Sequence, residues 1–307
     1  MTDQKIYTPT RVPQGCSDAA LYFQKTMEML LYKHLLVWVD DLLLYAADID
    51  TYLKKLKKLL ELMDFFGVKL RAKKTSLYQR TVRWCGKLIS GEGVRHDPER
   101  IEALRKVPLP STAGELQQFL CTTGWMGDST IDYARKTQPL QRCLDATLAS
   151  KKRTKRVATC ITIELIDEER DAFEEIMSSL CKAAMLAHPN DDATICLFTD
   201  ASDSVWGAIV TQIQNWKDDE NVTDQSHELL TCLGGTFSGA QLNWSVIKKE
   251  GFPIVITCEK LDYLLLRPQG FKLFCDHRNL IHIFAPSVEM KKHILEHRYI
   301  IEHIDGE

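Results

Sequence analysis

Five acidic residues hold most of the chemistry that this sequence can do. Asp40 and Asp41 stand side by side inside the apolar run LLVWVDDLLLY (35–45). A buried, unpaired carboxylate is costly or shifts its pKa until it is neutral, so two in a row mark either an exposed turn or a place for a cation. Asp200 closes the run TICLFTD, Asp276 closes FKLFCD, and Glu250 falls in a helical segment between them. Strand-end carboxylates and one from a packed helix can converge on a point above one end of a sheet. Such hard oxygen donors suit Mg²⁺ or Mn²⁺. Two ions roughly 3.5 to 4 Å apart stabilise both the attacking and the leaving oxygen of an in-line displacement at phosphorus. Phosphoryl transfer is the reaction such a set serves. Each acid taken alone also reads as an ordinary strand end, helix position or turn.

The elements that must position these acids follow from pattern. KHLLVWV (33–39) and LLLYA (42–46) read as the two arms of a β-hairpin with Asp40 and Asp41 in its turn. Leu53, Leu56, Leu60 and Met63 recur at helical spacing, with Asp50 as candidate N-cap and Gly67 after the end. Residues 68–90 read as short strands and turns in which basic residues alternate with Tyr78 and Trp84, an arrangement open to phosphate contact and base packing, or to a wet sheet face. Thr112 and Glu115 form a capping box before ELQQFL. A further helix is expected over 167–186, acidic in its first turns where the helix dipole favours it. After Pro189 the pattern turns to strands: 194–200 and 205–213 as a hairpin, then 229–237. A helix around 241–261 and a strand over 271–276 follow.

Composition bounds the class. With 307 residues, 45% apolar and 26% charged, the chain has room for two or three globular domains. No apolar run approaches the roughly 18 to 20 residues of a membrane span. MTDQKIYTPTR has no signal segment, so a cytosolic or nuclear location is expected. Ten cysteines are scattered without a CxxC pair, which argues for reduced thiols over a disulfide frame or zinc cluster. The net charge of −3 conceals a division. Residues 54–106 hold 15 Lys plus Arg against six Asp plus Glu, and residues 162–230 hold three against 16. A basic stretch suits a polyanion and an acidic one suits metal ions, although two solvated surfaces of opposite sign would look the same. KKRTKR (151–156) reads as a domain linker. His293 and His297, four apart in HILEH, share a helix face but lack further ligands, so an exposed amphipathic surface is expected there.

In this order the segments resemble the pol polyprotein of gypsy-class LTR retrotransposons, from reverse transcriptase through a connecting region to ribonuclease H, over nearly the whole chain. TRVPQGCSDAALYFQ (10–24) resembles the palm segment near the incoming nucleotide and template, which implies substrate contacts at Gln14 and Gly15. WVDD (38–41) is similar to the hairpin bearing two of the polymerase's metal-binding aspartates, with Trp38 in place of the usual aromatic. GVKLRAKKTSLY resembles the segment whose lysine, here Lys74, lies near the nucleotide phosphates. WCGKLIS (84–90) looks like the primer grip, implicating Trp84 and Gly86. LFTDAS (197–202), LNWSVIKKEGFPIV (242–255) and CDHRNL (275–280) resemble the ribonuclease H segments that supply Asp200, Glu250 and Asp276. RYIIEHIDGE (298–307) resembles the strand before the family's last active-site aspartate.

The fold implied is α/β, a mixed α+β arrangement. Residues 1–90 are expected to form a partial palm, 91–160 a thumb-like or connecting region with the basic linker, and 161–307 a ribonuclease H-like domain with a mixed sheet and helices. The resemblance implies catalytic and metal-binding roles for Asp40, Asp41, Asp200, Glu250 and Asp276, with Mg²⁺ or Mn²⁺ as cofactor. It also implies an RNA–DNA hybrid or template-primer as partner and no membrane. Departures accompany it. The aspartate expected upstream of Gln14 has no counterpart but Asp3, and the fingers and the fourth ribonuclease carboxylate are missing. The intervals Gln24–Asp40 and Asp276–Ile301 are short, and Pro253 and Gly251 fall beside Glu250. An interior proline costs a helix about 3 kcal/mol. These read as deletions in a decaying or repurposed copy, with polymerase activity lost in isolation. The other expectation is a catalytically dead, domesticated module that binds nucleic acid or a protein partner through its basic window, with a steep dependence on salt.

Overall fold

The structure, a computed structural model, describes residues 19–30, 35–39, 41–149, 151, 154–277, 280 and 299–302. Gln14, Gly15, Asp40, His293 and His297 therefore lie outside the described residues. The chain divides into two compact units, 1–85 and 86–307.

In the first unit α1 (Ala19–Leu30) precedes an antiparallel hairpin of β1 (Leu35–Trp38) and β2 (Asp41–Leu44). Trp38 pairs with Asp41, so Asp41 already belongs to the second strand. Val39 has φ +54, a conformation that strains a β-branched residue. Gln24 of α1 fastens it: its Nε2 donates to the Val37 carbonyl at 2.9 Å, and its Oε1 accepts the Val39 N–H at 2.6 Å. Next comes α2 (Ile49–Phe65), capped not by Asp50 but by Asp48, whose carboxylate accepts the Thr51 N–H at 2.8 Å. Asp50 sits one step inside the first turn, where its charge suits the dipole but its side chain cannot cap. Leu59 and Met63 are buried on Leu35, Val37, Leu42 and Leu44, whereas Leu53 and Leu60 of the expected stripe face solvent. Length explains the difference. Four-residue strands reach about 13 Å, a 17-residue helix about 25 Å, and the hairpin covers only part of it. A short 3₁₀ turn, Ala72–Lys74, and β3 (Thr81–Trp84) complete the unit.

The second unit opens with the antiparallel pair β4 (Lys87–Ser90) and β5 (Gly93–His96) and continues through helices. These are α3 (Pro98–Arg105), α4 (Ala113–Gly124), α5 (Tyr133–Leu148), α6 (Lys155–Thr159) and α7 (Asp167–Cys181). The Thr112–Glu115 capping box forms at the start of α4 as its sequence predicts. At the end of the basic run 151–156, Lys155 and Arg156 open α6. Leu116 and Phe119 of α4, Leu140 and Leu144 of α5, and Phe173 and Ile176 of α7 share one core. In it the Phe119 and Phe173 rings lie 4.5 Å apart. Pro139 falls inside α5.

A five-stranded sheet follows in the order β10-β9-β6-β7-β8. β6 (Thr194–Ala201), β7 (Val205–Ile213) and β8 (Glu228–Thr236) run antiparallel. β9 (Phe271–Cys275) is parallel to β6, and β10 (Tyr299–Glu302) is parallel to β9. Between β8 and β9 lie α8 (Val246–Lys260) and the single turn α9 (Asp262–Leu265). The helix starts later than the expected residue 241, since Gly239–Asn243 forms a 3₁₀ turn under its own Ser238–Gln241 cap. Ile254 and Cys258 of α8 pack with Ile195, Leu197, Val210 and Leu273 in a second core. No disulfide forms among the nine described cysteines. No helix among the described residues is long and apolar enough to cross a membrane.

Pro253 lies in the interior of α8 and is buried. It has no N–H to give the Lys249 carbonyl, and its ring crowds the preceding turn. Replacing it with Ala restores the bond and removes the clash, about 3 kcal/mol, at the cost of two buried methylenes, about 0.8 kcal/mol each. Pro253→Ala is therefore expected to stabilise the chain by about 1 to 2 kcal/mol, read as a rise in thermal melting temperature.

Candidate metal centre

Strand register brings the acids of the second unit together. β6 and β9 are parallel, with Thr199 opposite Cys275. Asp200, the next residue on β6, and Asp276, the residue just past β9, therefore emerge at the same end of the sheet. Glu250 comes from α8, one turn before Ile254 and two before Cys258, both of which are buried against the sheet. That stripe aims Glu250 at the same end. One carboxylate oxygen from each of Asp200, Glu250 and Asp276 lies within 4.8 Å of the others, and among the described residues no other three metal-ligating side chains meet in this way.

The three are not equivalent. Asp200 and Asp276 are exposed, whereas Glu250 is 6% exposed and its Oε2 is buried without a hydrogen-bond partner. Burial pushes the Glu250 pKa up to about 7, and the charges of Asp276 and Asp200 push in the same direction against the Ala201 amide, which donates to it. A clustered set of oxygen donors with an orphaned buried oxygen fits a hard divalent cation. In that case Glu250 would hold it from beneath, with Asp200 and Asp276 on the solvent side.

The turn that follows Asp200 is held from two sides. Lys249, buried beside Glu250, donates from Nζ to the Asp203 carbonyl at 2.9 Å and to its carboxylate at 3.2 Å. From α5, the Gln138 amide donates to Ser204 Oγ. Arg135, also on α5, pairs with Asp200, its Nη2 lying 2.9 Å from Oδ2. The sequence gives Arg135 no motif. Its one signal appears after the strands are registered, as a cross-strand row Asp200, Gly207, Gly234 with room for a helix on the glycine side.

The other expected site residues stay local to their elements. Asp41 is exposed at the start of β2, and Lys74 is exposed in the 3₁₀ turn. Trp84 is half-buried at the end of β3. Gly86 has φ +74, a backbone conformation that favours glycine, and the Arg100 guanidinium lies over the position a Cβ would take. Among the described residues, Asp41 belongs to no group of three metal-ligating side chains.

Comparison with known proteins shows what this mixed α/β fold is similar to. Residues 1–89 match the reverse transcriptase (RNA-dependent DNA polymerase) family, and residues 190–301 the RNase H-like domain found in reverse transcriptase. The chain is 24% identical over 278 residues to the retrovirus-related Pol polyprotein from transposon opus of Drosophila melanogaster, covering 89% of this chain and 27% of that protein. The corresponding polyprotein from transposon gypsy is 23% identical, with 89% and 26% covered. The transposon Tf2-3 polyprotein of Schizosaccharomyces pombe is 28% identical, with 88% and 19% covered. The chain thus spans about a quarter or less of the length of these relatives. Among solved structures, the foamy viral protease-reverse transcriptase in complex with dsDNA aligns with a TM-score of 0.68 at 18% identity, over 96% of this chain and 60% of that one. The same protein with an RNA/DNA hybrid aligns at 0.69 and 17%, over 96% and 39%. The chain carries a reverse transcriptase segment and an RNase H-like domain, and it is similar to retrotransposon Pol polyproteins.

The raised pKa of Glu250 makes the stability of the fold depend on pH. A carboxyl whose pKa rises from 4.5 unfolded to about 7 folded contributes fully below pH 4.5, and that contribution is lost as pH rises through 7. Gln mimics the neutral form at all pH. In metal-free buffer Glu250→Gln is expected to be more stable than the parent by on the order of 3 kcal/mol at pH 8, shrinking to about 1 kcal/mol at pH 5. Thermal melts in EDTA at the two pH values check this.

Proposed function

We propose that the second unit cleaves the RNA strand of an RNA–DNA hybrid at Asp200, Glu250 and Asp276, with Mg²⁺ or Mn²⁺ as cofactor. The observation behind this reading is the convergence of three carboxylates, one of them buried with an unpartnered oxygen, in a domain of the RNase H-like family. A foamy viral reverse transcriptase of similar fold has been solved with an RNA/DNA hybrid, which supports the substrate class.

A divalent cation held there supplies Lewis-acid stabilisation of the charge that builds on the attacking and leaving oxygens at phosphorus. The protein's part is positional. Asp200 and Asp276 face solvent, where a phosphodiester can approach, and the strand pairing fixes their spacing. Glu250 must give up its proton to serve as a ligand, so the site works best at or above neutral pH. Lys249 holds the turn after Asp200 and keeps the site's rim in place.

In the first unit we read Asp40 and Asp41 as the residual metal pair of a polymerase palm, supported by the reverse transcriptase match over 1–89. Gln14, Gly15, Lys74, Trp84 and Gly86 would face template-primer. With no third ligand grouped with Asp41 among the described residues, primer extension by this chain is expected to be weak or absent.

A labelled RNA–DNA hybrid incubated with the chain and Mg²⁺ or Mn²⁺ should be cut. Asp200→Asn should lower the rate about a hundredfold or more, the scale of losing one preorganised electrostatic group. A hybrid that is bound in a salt-sensitive way but left intact would defeat this reading in favour of a catalytically silent binding module.

A further inference from the structure

We infer that Arg135 is a positioning residue of the metal centre: its guanidinium is the counter-ion that Asp200 keeps until a divalent cation displaces it. The inference rests on the proposed reading of Asp200, Glu250 and Asp276 as a metal site. Among the described residues, Arg135 is the cation that forms an ion pair with any of the three, at 2.9 Å.

Its placement is built into the fold. Asp200, Gly207 and Gly234 form one cross-strand row, and side chains along such a row share a face of the sheet. The two glycines leave a notch, and the start of α5 lies in it. A Cβ on Gly234 would stand 3.1 Å from the Ala134 Cβ, and one on Gly207 would stand 4.0 Å from Asp132 Oδ1. Asp132 enters the helix at φ +59. Arg135 and Asp200 then line the same small pocket. One turn further along α5, Gln138 bonds to Ser204, and the helix is held over the β6–β7 turn.

A guanidinium and a doubly charged ion drawn to one Asp200 carboxylate repel each other and compete for its charge. Since Arg135 and Asp200 are both more than half exposed, solvent screens the pair and the competition is moderate. Removing Arg135 should therefore tighten metal binding without altering the ligand set. The effect should shrink at 1 M salt, where screening acts over about 3 Å.

The test is titration of the full chain with Mn²⁺, reading the free ion by electron paramagnetic resonance. Parent, Arg135→Ala, Arg135→Lys and Asp276→Asn are compared, with melting curves to show each is folded. Arg135→Ala is expected to bind Mn²⁺ about three- to tenfold more tightly than the parent. Arg135→Lys, which keeps the charge, should return most of the way to parent affinity. If Arg135→Ala matches the parent or binds more weakly while Asp276→Asn loses binding, the metal centre stands and the role of Arg135 is overturned. If parent, Arg135→Ala and Asp276→Asn all bind alike or not at all, the metal-centre reading fails and this inference falls with it.

Discussion

Mutual repulsion among Asp200, Glu250 and Asp276 is the constraint that the architecture of the second unit answers. Three carboxyl groups within 4.8 Å do not gather by themselves. Two are fixed by the pairing of β6 with β9, which puts Thr199 opposite Cys275 and leaves the following residues no choice but adjacency. The third is driven inward by the apolar residues that follow it on α8, whose burial on the sheet supplies the free energy that brings an acid to where it would not otherwise go. The outcome is a glutamate that keeps its proton at ordinary acidity and an oxygen with no partner. A fold that holds such an arrangement gives up stability at that one place.

Helices on both faces of the sheet share in that arrangement. α8 supplies Glu250 and, through Lys249, holds the turn after Asp200, while α5 reaches the same turn from the opposite side through Gln138. The β6–β7 turn is thus clamped between two elements whose cores are distinct: α8 packs in the core under the sheet, and α5 packs with α4 and α7. The helical half of the second unit is therefore joined to the rim of the acidic cluster by specific side chains as well as by chain connectivity.

Much of this architecture is legible in the residues themselves. The strands β6 to β9 start and end within a residue of where β-branched and apolar runs predict them, because each run is bounded by polar residues or glycine that cannot continue it. The position of Asp200 near one strand end and of Asp276 just past another follows directly. The Thr112 capping box is likewise local chemistry. What escapes is whatever depends on register or on competing local partners. Asp48 and Asp50 both stand near the start of α2, and only the geometry of the turn selects Asp48. Leu53 and Leu60 fit a helical stripe as well as Leu59 does, and the short hairpin decides between them. Arg135 lies 65 residues from Asp200, and nothing in ARKTQP announces that the two meet.

Pro139 follows Arg135 by four residues inside α5. Having no N–H, it cannot bond to the Arg135 carbonyl, so the opening turn of the helix is stitched to the remainder by one link fewer than its length suggests. The residue that touches Asp200 rides on a first turn seated over two glycines and tied to α4 through Tyr133, whose hydroxyl lies 2.7 Å from Thr123 Oγ1, while the later turns are anchored in the helical core through Leu140, Leu144 and Leu148. Side-chain packing on either side of Pro139 stands in for the missing backbone link, so Arg135 is presented to the sheet from a helix start held by its neighbours as much as by its own ladder.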